Sequence, residues 1–323
     1  MILNVPTAEE LTEVALRLYF SAWGMLADIS NEFENLDATD QVILYDDEDG
    51  GEEAMKADYK KQSQHDLQTI CTLLQQANEI ALKAEICKVS PYLLLVNSDM
   101  KFRASNTEVE FSELRTIDAV DLPQAVANMA NKKLSDDFVR QYNQLRSLRN
   151  GLVHLGRSTQ SLDPQQLLDI AIAQYVELWG DRSWLADRLE AFENSRQSFF
   201  HDYKYMSPHM LAMQEWINVK DLFKKSQYKK IFKHEKNKRR YLCLPCVNAA
   251  ATRYSSFSNE DAGTAYLNPD DNTVTCLMCN ETHPVKREKC DCDGCKGNVV
   301  SIDERYEDVC HTCGEGPVTL GRR

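Results

Sequence analysis

The chain has 323 residues, of which 43% are hydrophobic and 27% charged, and a formal net charge of −13. That length holds two domains, or one large domain with an appendage, around a real core. No apolar run approaches the roughly 18–20 residues that a membrane span needs, the opening MILNVPTAEE has no basic segment leading into an apolar one, and the acidic balance argues against a protein coated generally with nucleic acid. The expectation is a cytoplasmic chain with no membrane partner.

Thr7 and Glu10 form a capping box that predicts a helix from Ala8, with Leu11, Val14, Leu18, Ala22, Leu26 and Ile29 along its apolar stripe. Residues 45–53, YDDEDGGEE, read as a solvated acidic loop. The apolar period through Leu67, Ile70, Leu74, Ala77 and Ala81 predicts one long helix over 54–88, which Pro91 ends or kinks. Residues 92–117 are irregular. Asp121 and Pro123 predict a short helix to about Ala130. Ser135 caps the next one, with Asp136 and Asp137 in the first turn where the helix dipole favours them.

That helix carries LRSLRNGLVHLG, residues 145–156. Arg149, Asn150 and His154 lie within six residues, and Leu145, Leu148, Leu152 and Val153 are spaced like a buried side. Asn150 and His154 are four apart and share a face. Arg149 and His154 are roughly 140° apart around the axis, so either the arginine stem bends back or a second copy of the helix supplies the guanidinium. A lone histidine on an apolar helix is more often a core residue with one hydrogen bond; the adjoining fixed cation and amide raise the chemical reading. Gly151 costs the helix about 1 kcal/mol relative to alanine, which suits a kink or a close approach to the backbone. Gly156 is an expected helix stop, and Asp163-Pro164 starts a helix expected to reach about Asn194.

Arg-Asn, three residues and then His, late in an all-helical domain, resembles the HEPN family. The resemblance covers residues 1–200 and implies a HEPN-like helical bundle, mostly α. It implies metal-independent RNA cleavage by a homodimer whose two motifs form one composite site. His154 would move the proton of the 2′-hydroxyl or of the leaving oxygen, Arg149 would stabilise charge growing on the phosphate, and Asn150 would orient either. Products would end in 2′,3′-cyclic phosphate. In such domains the preceding long helix often sets a polar residue beside the motif; Glu79, Lys83 and Glu85 are candidates, though solvated helix charges are the plainer reading. Relatives of this kind act as toxins or anti-phage defence effectors, so an antitoxin or defence-system partner is a further expectation. Control through a tyrosine two positions after the histidine is not supported, because Leu155 and Gly156 follow His154. The other class of function is a non-catalytic adaptor that dimerises through its helices.

After Ser207-Pro208 opens another helix, residues 220–240 hold ten Lys and Arg against Asp221 and Glu235. This +8 excess leaves −21 for the rest of the chain. Residues 201–240 read as a basic helical linker in which Lys229, Lys230, Lys233, Lys236, Lys238, Arg239 and Arg240 offer cations to RNA phosphates. Tyr228, Phe232 and Tyr241 interleave as rings for bases. A solvated basic helix docked on the acidic remainder explains the same pattern equally well.

Of eleven cysteines, nine follow Tyr241. Cys243/Cys246 with Cys276/Cys279, and Cys292/Cys295 with Cys310/Cys313, are paired CxxC sets, expected to bind two structural Zn2+ ions in zinc ribbons over 241–285 and 286–323. Cys290 and His311 are left out of this assignment, with Cys290 an alternative to Cys292. Thiolate-rich iron–sulfur ligation is the rival. Residues 264–276 read as a hairpin turning at Asn268-Pro-Asp-Asp271.

Overall fold

The computed structural model describes residues 1–36, 51–95, 108–155, 161–255, 257–259 and 261–316, without the side chains of 153–155. The chain is mostly helical, with a small sheet towards its C-terminus, and divides into two compact units, Met1–Trp179 and Gly180–Arg323.

Among its described residues the first unit holds six α-helices: α1 (Ala8–Glu34), α2 (Gly51–Gln62), α3 (Gln64–Cys87), α4 (Leu122–Met129), α5 (Asp136–Leu155) and α6 (Pro164–Trp179). The Thr7 box closes as expected: Thr7 Oγ1 accepts from Glu10 N at 3.1 Å and Glu10 Oε2 from Thr7 N at 2.8 Å. Helix α1 packs chiefly on α3 and α6. Tyr19 donates to the Ala171 carbonyl at 3.1 Å and its ring lies 5.6 Å from Tyr175 and 5.5 Å from Trp179. Trp23, Leu26, Leu67, Ile70 and Leu74 are fully buried beneath. Two short strands, β1 (Ile2–Leu3) and β2 (Val109–Glu110), pair in parallel.

The expected 54–88 helix is two helices. They part at Ser63, a buried turn residue whose hydroxyl donates to the Tyr59 carbonyl at 2.8 Å, with no proline or glycine at the break. Residues 45–50 of the acidic loop, residues 96–107 of the irregular 92–117 stretch and Gly156 lie outside the described residues.

The helix expected to reach Asn194 stops at Trp179. Gly180 follows, and α7 (Trp184–Glu193) starts anew after Ser183. Arg182 grips the buried Asp187 carboxylate with Nε at 2.8 Å and Nη2 at 2.7 Å. The unit boundary therefore falls at Gly180 rather than near 200. The linker expected over 201–240 is part of the second core. Helices α8 (Pro208–Val219) and α9 (Lys225–Phe232) are separate, and Trp184, Trp216, Phe223, Tyr228 and Phe232 pack together, with Trp216 Nε1 donating to the Gly263 carbonyl at 3.1 Å. A short helix α10 (Leu244–Ala250) precedes an antiparallel sheet ordered β3-β4-β5-β6: Ala265–Asn268, Thr273–Cys276, Thr282–Lys286 and Val300–Ser301. The predicted hairpin is β3–β4, turning one residue late, with Asn272 at φ 51° closing it. Strand β5 pairs with β4 on one side and β6 on the other. The two expected ribbons thus share one sheet.

Candidate metal centres and the arginine-bearing helix

Cys243 sits at the N-cap of α10 and Cys246 in its first turn, while Cys276 ends β4 and Cys279 lies in the turn after it. The four sulfurs all lie within 4.8 Å of one another, with Cys243–Cys279 at 3.8 Å and Cys246–Cys276 at 3.9 Å. A tetrahedron of metal–sulfur bonds of about 2.3 Å has edges of about 3.8 Å. Disulfides need sulfurs about 2 Å apart. Bridging sulfides of a multi-iron cluster would hold the thiolates farther apart. The residues thus fit one metal ion in a closed four-thiolate shell. His283, buried, brings Nε2 to 3.5 Å from Cys243 Sγ.

The second set is Cys290, Cys295, Cys310 and Cys313, with Cys290–Cys313 at 3.8 Å. Cys290 takes the place expected of Cys292, and the turns show why. Cys295 Sγ accepts from Gly297 N at 3.3 Å, Cys310 Sγ from Thr312 N at 3.4 Å and Cys276 Sγ from Met278 N at 3.2 Å. Each of these ligands opens a tight turn whose amide, two residues on, points at the sulfur and favours the thiolate. Cys290 does the same, accepting from Cys292 N at 3.5 Å, so Cys292 is the amide donor of the turn. A Cβ on Gly297 would stand 2.6 Å from Cys310 Sγ, which explains a glycine there. His311 stays out of the shell, as expected. It is buried, its Nδ1 pairs with the Leu242 carbonyl at 2.7 Å, and its own carbonyl accepts from Leu242 N at 2.8 Å.

Helix α5 is capped by Ser135, whose Oγ accepts from Phe138 N at 3.3 Å. Phe138, Tyr142 and Leu145 form its buried side, with Tyr142 donating to the Ala119 carbonyl at 2.6 Å. Leu148 and Leu152 are only half-buried, so the apolar side thins towards the motif. The helix runs unbroken past Gly151 to Leu155. Arg149 and Asn150 are half-buried, and Arg149 Nη1 donates to Asn150 Oδ1 at 3.2 Å. His154 lies on this helix, with its side chain outside the described residues. Of the three polar candidates on α3, Lys83 donates to Thr116 Oγ1 at 3.1 Å and Glu85 pairs with Lys88 and Lys132. Glu79 Oε1 accepts from Gln75 Nε2 on its own helix at 3.2 Å; burial first, and then the Glu79 charge, hold the Tyr142 phenol above its ordinary range.

The basic stretch is divided by the fold. Lys229, Lys230, Lys233, Lys238 and Arg239 are exposed. Lys229 pairs with Glu235, Lys236 Nζ donates to the Asp221 and Phe223 carbonyls at 2.9 and 2.7 Å, Arg239 donates to Thr312 Oγ1 at 3.0 Å and Arg240 to the Lys236 carbonyl at 3.4 Å. Tyr228, Phe232 and Tyr241 are buried, so these rings do not stack on bases. Sequence spacing alone did not separate core aromatics from exposed ones. Among the described residues, no helix is long and apolar enough to cross a membrane. Compared with family models, curated proteins and solved structures, the chain matches none.

Proposed function

We propose that this chain is a metal-independent endoribonuclease of the HEPN type, acting as a homodimer, with two Zn2+ ions as structural staples of its second unit. The observation that carries this reading is the pairing of the Arg149 guanidinium with the Asn150 amide on the last turns of α5, half-open to solvent where the apolar side of the helix thins. A fixed donor fork partly clear of the core can meet a phosphate; a core arginine cannot. Both cysteine sets supply four thiolates, which leaves no open position for a substrate or water.

In the proposed reaction the ribose 2′-oxygen forms a bond to phosphorus and the 5′-oxygen leaves. His154 takes the 2′-hydroxyl proton or protonates the leaving 5′-oxygen, with solvent water exchanging the other proton; Arg149 stabilises the charge gathering on the phosphoryl oxygens, and Asn150 orients the phosphate or the imidazole. The products are a 2′,3′-cyclic phosphate and a 5′-hydroxyl. Purified protein cleaves RNA in buffer without added divalent cation, and Arg149→Ala and His154→Ala each lower the rate by about 10²–10⁴-fold while keeping both metals and the dimer. Parental cleavage rates in His154→Ala overturn the assignment. By the same resemblance the setting is a cytoplasmic toxin or defence system with an inhibitory partner.

The second reading is a non-catalytic adaptor that binds nucleic acid. It draws on the exposed Lys229, Lys230, Lys233 and Lys238 of the second unit and requires no cleavage. Metal-free cleavage of RNA separates the two.

A further inference from the structure

Within the second unit, the described large hydrophobic side chains left exposed are Phe199, Phe200, Tyr203, Tyr254 and Ile302. Four of the five are aromatic. Phe199 is 87% exposed and Phe200, Tyr203 and Tyr254 are each 69% exposed. Isolated exposed apolar residues need no explanation; these four occupy one stretch and the loop tied to it. Phe199 and Phe200 meet edge to face at 5.3 Å. Three residues on, Tyr203 is at most about 11 Å away along the chain. Tyr254 joins from the other loop, its ring 5.3 Å from Tyr205, and Arg253 N donates to the Lys204 carbonyl at 2.9 Å.

Cations are interleaved with these rings. Lys204 Nζ lies 5.0 Å and Arg253 Cζ 5.5 Å from the centre of the Tyr205 ring. The one acid in the loop, Asp202, is exposed, and its Oδ1 accepts from the amides of Lys204, Tyr205 and Met206 at 3.1, 2.8 and 3.3 Å. Tyr203 adopts φ 57°, a left-handed conformation that Asn or Gly would take at lower cost. Its amide bonds to the Met206 carbonyl at 3.0 Å, which fixes that turn. The fold thus accepts backbone strain to keep an aromatic ring in water.

We propose that this aromatic–cation surface binds single-stranded nucleic acid, its rings stacking on unpaired bases and Lys204 and Arg253 contacting phosphates. Flat faces and negative charges in alternation are what such a strand presents. A duplex hides its base faces against one another. A protein partner would be met by aliphatic side chains as well, and Ile302 is the one exposed aliphatic of the described second unit. The surface does not depend on Arg149 or His154, so it stands whether or not the chain cleaves RNA.

The test uses full-length, metal-loaded protein and fluorescence anisotropy with an oligouridylate of about 20 nucleotides, longer than the ~4–16 that one such module covers. The matching oligothymidylate and a duplex of equal length are the comparators. The single strands bind more tightly than the duplex, and the uridylate-to-thymidylate ratio tells RNA from DNA as the better ligand. The double variant Phe199→Ser/Phe200→Ser, and Tyr254→Ser, lower affinity by about tenfold or more with the salt dependence unchanged. Lys204→Gln/Arg253→Gln lowers the slope of log affinity against log salt by about 0.7 for each phosphate no longer neutralised. These side chains are exposed, so metal content and circular dichroism match the parent. Binding persists in His154→Ala, which separates failure of this surface from failure of the cleavage reading. Equal affinity for duplex and single strand, or parental affinity in the ring variants, overturns the proposal and leaves the rings to a protein partner.

Discussion

The two units solve the same problem by different physical means. Residues 1–179 bury long apolar stripes: α1 and α3 span 27 and 24 residues, enough to cover each other over many turns. Residues 180–323 have no helix longer than 12 residues among those described, and their sheet strands run from two to five residues. Elements that short bury little area each, and the unit compensates with a tight aromatic cluster and two four-cysteine sets. The contrast predicts that the first unit is held by area and the second by metal.

The largest effect that sharpens this contrast is metal removal. Structural zinc is worth about 10–16 kcal/mol in small modules. Stripping it with a strong chelator, or replacing Cys246 by Ser, is expected to collapse hydrogen-exchange protection from α10 to β6 while α1 and α3 keep theirs. Native mass spectrometry of the untreated protein is expected to give two metal ions per chain. Equal loss of protection in both units breaks the contrast.

Next in size, tryptophan truncation tests each core alone. Trp23 and Trp216 are both fully buried, and Trp→Ala costs about 3–5 kcal/mol. Trp23→Ala lowers the protection of the first unit and Trp216→Ala that of the second. Cross-effects of similar size would show that the two cores melt as one.

The smallest effect is on pH. His234 stacks on Tyr266 with ring centres 3.7 Å apart. Burial first, and then the charge of Lys238, lower its pKa from the ordinary 6.5. The fold therefore favours the neutral ring. This stability is fully present above about pH 6.5 and is lost as pH falls through the lowered folded value. The melting midpoint of the second unit declines on mild acidification, and His234→Phe flattens that decline; an unchanged slope in the variant removes His234 as the cause.

Much of the layout was legible wherever a local group has one favourable use. Thr7, Ser135, Asp163 and Ser207 each cap a helix at the position expected from the residues around them, because a hydroxyl or carboxylate before an apolar period has few better partners. What failed was of two kinds. The break at Ser63 carries no proline or glycine to mark it, whereas Gly180 was a visible stop signal for the helix expected to reach Asn194, and the other failures were non-local. Tyr228 and Phe232 looked like base-stacking rings because basic neighbours surround them, and only the packing of Trp184 and Trp216 shows them to be core. Cys290 and Cys292 offer the same thiol two residues apart, and the choice is made by which amide can reach back to sulfur. The site fared similarly: Arg149 and Asn150 are paired on α5, while the exposed rings at 199–203 carry no motif.

The mutual grip of Leu242 and His311, 69 positions apart, sets an order on biosynthesis. At about 5–20 residues per second, a ribosome takes on the order of 3–14 s to travel from one to the other. For about the first half of that interval Cys243 and Cys246 await Cys276 and Cys279, and to its end the peptide groups of Leu242 lack their His311 partners. Nascent chains starved of metal, or exposed to oxidant, are thus most vulnerable in this window, when the helical unit upstream is already complete.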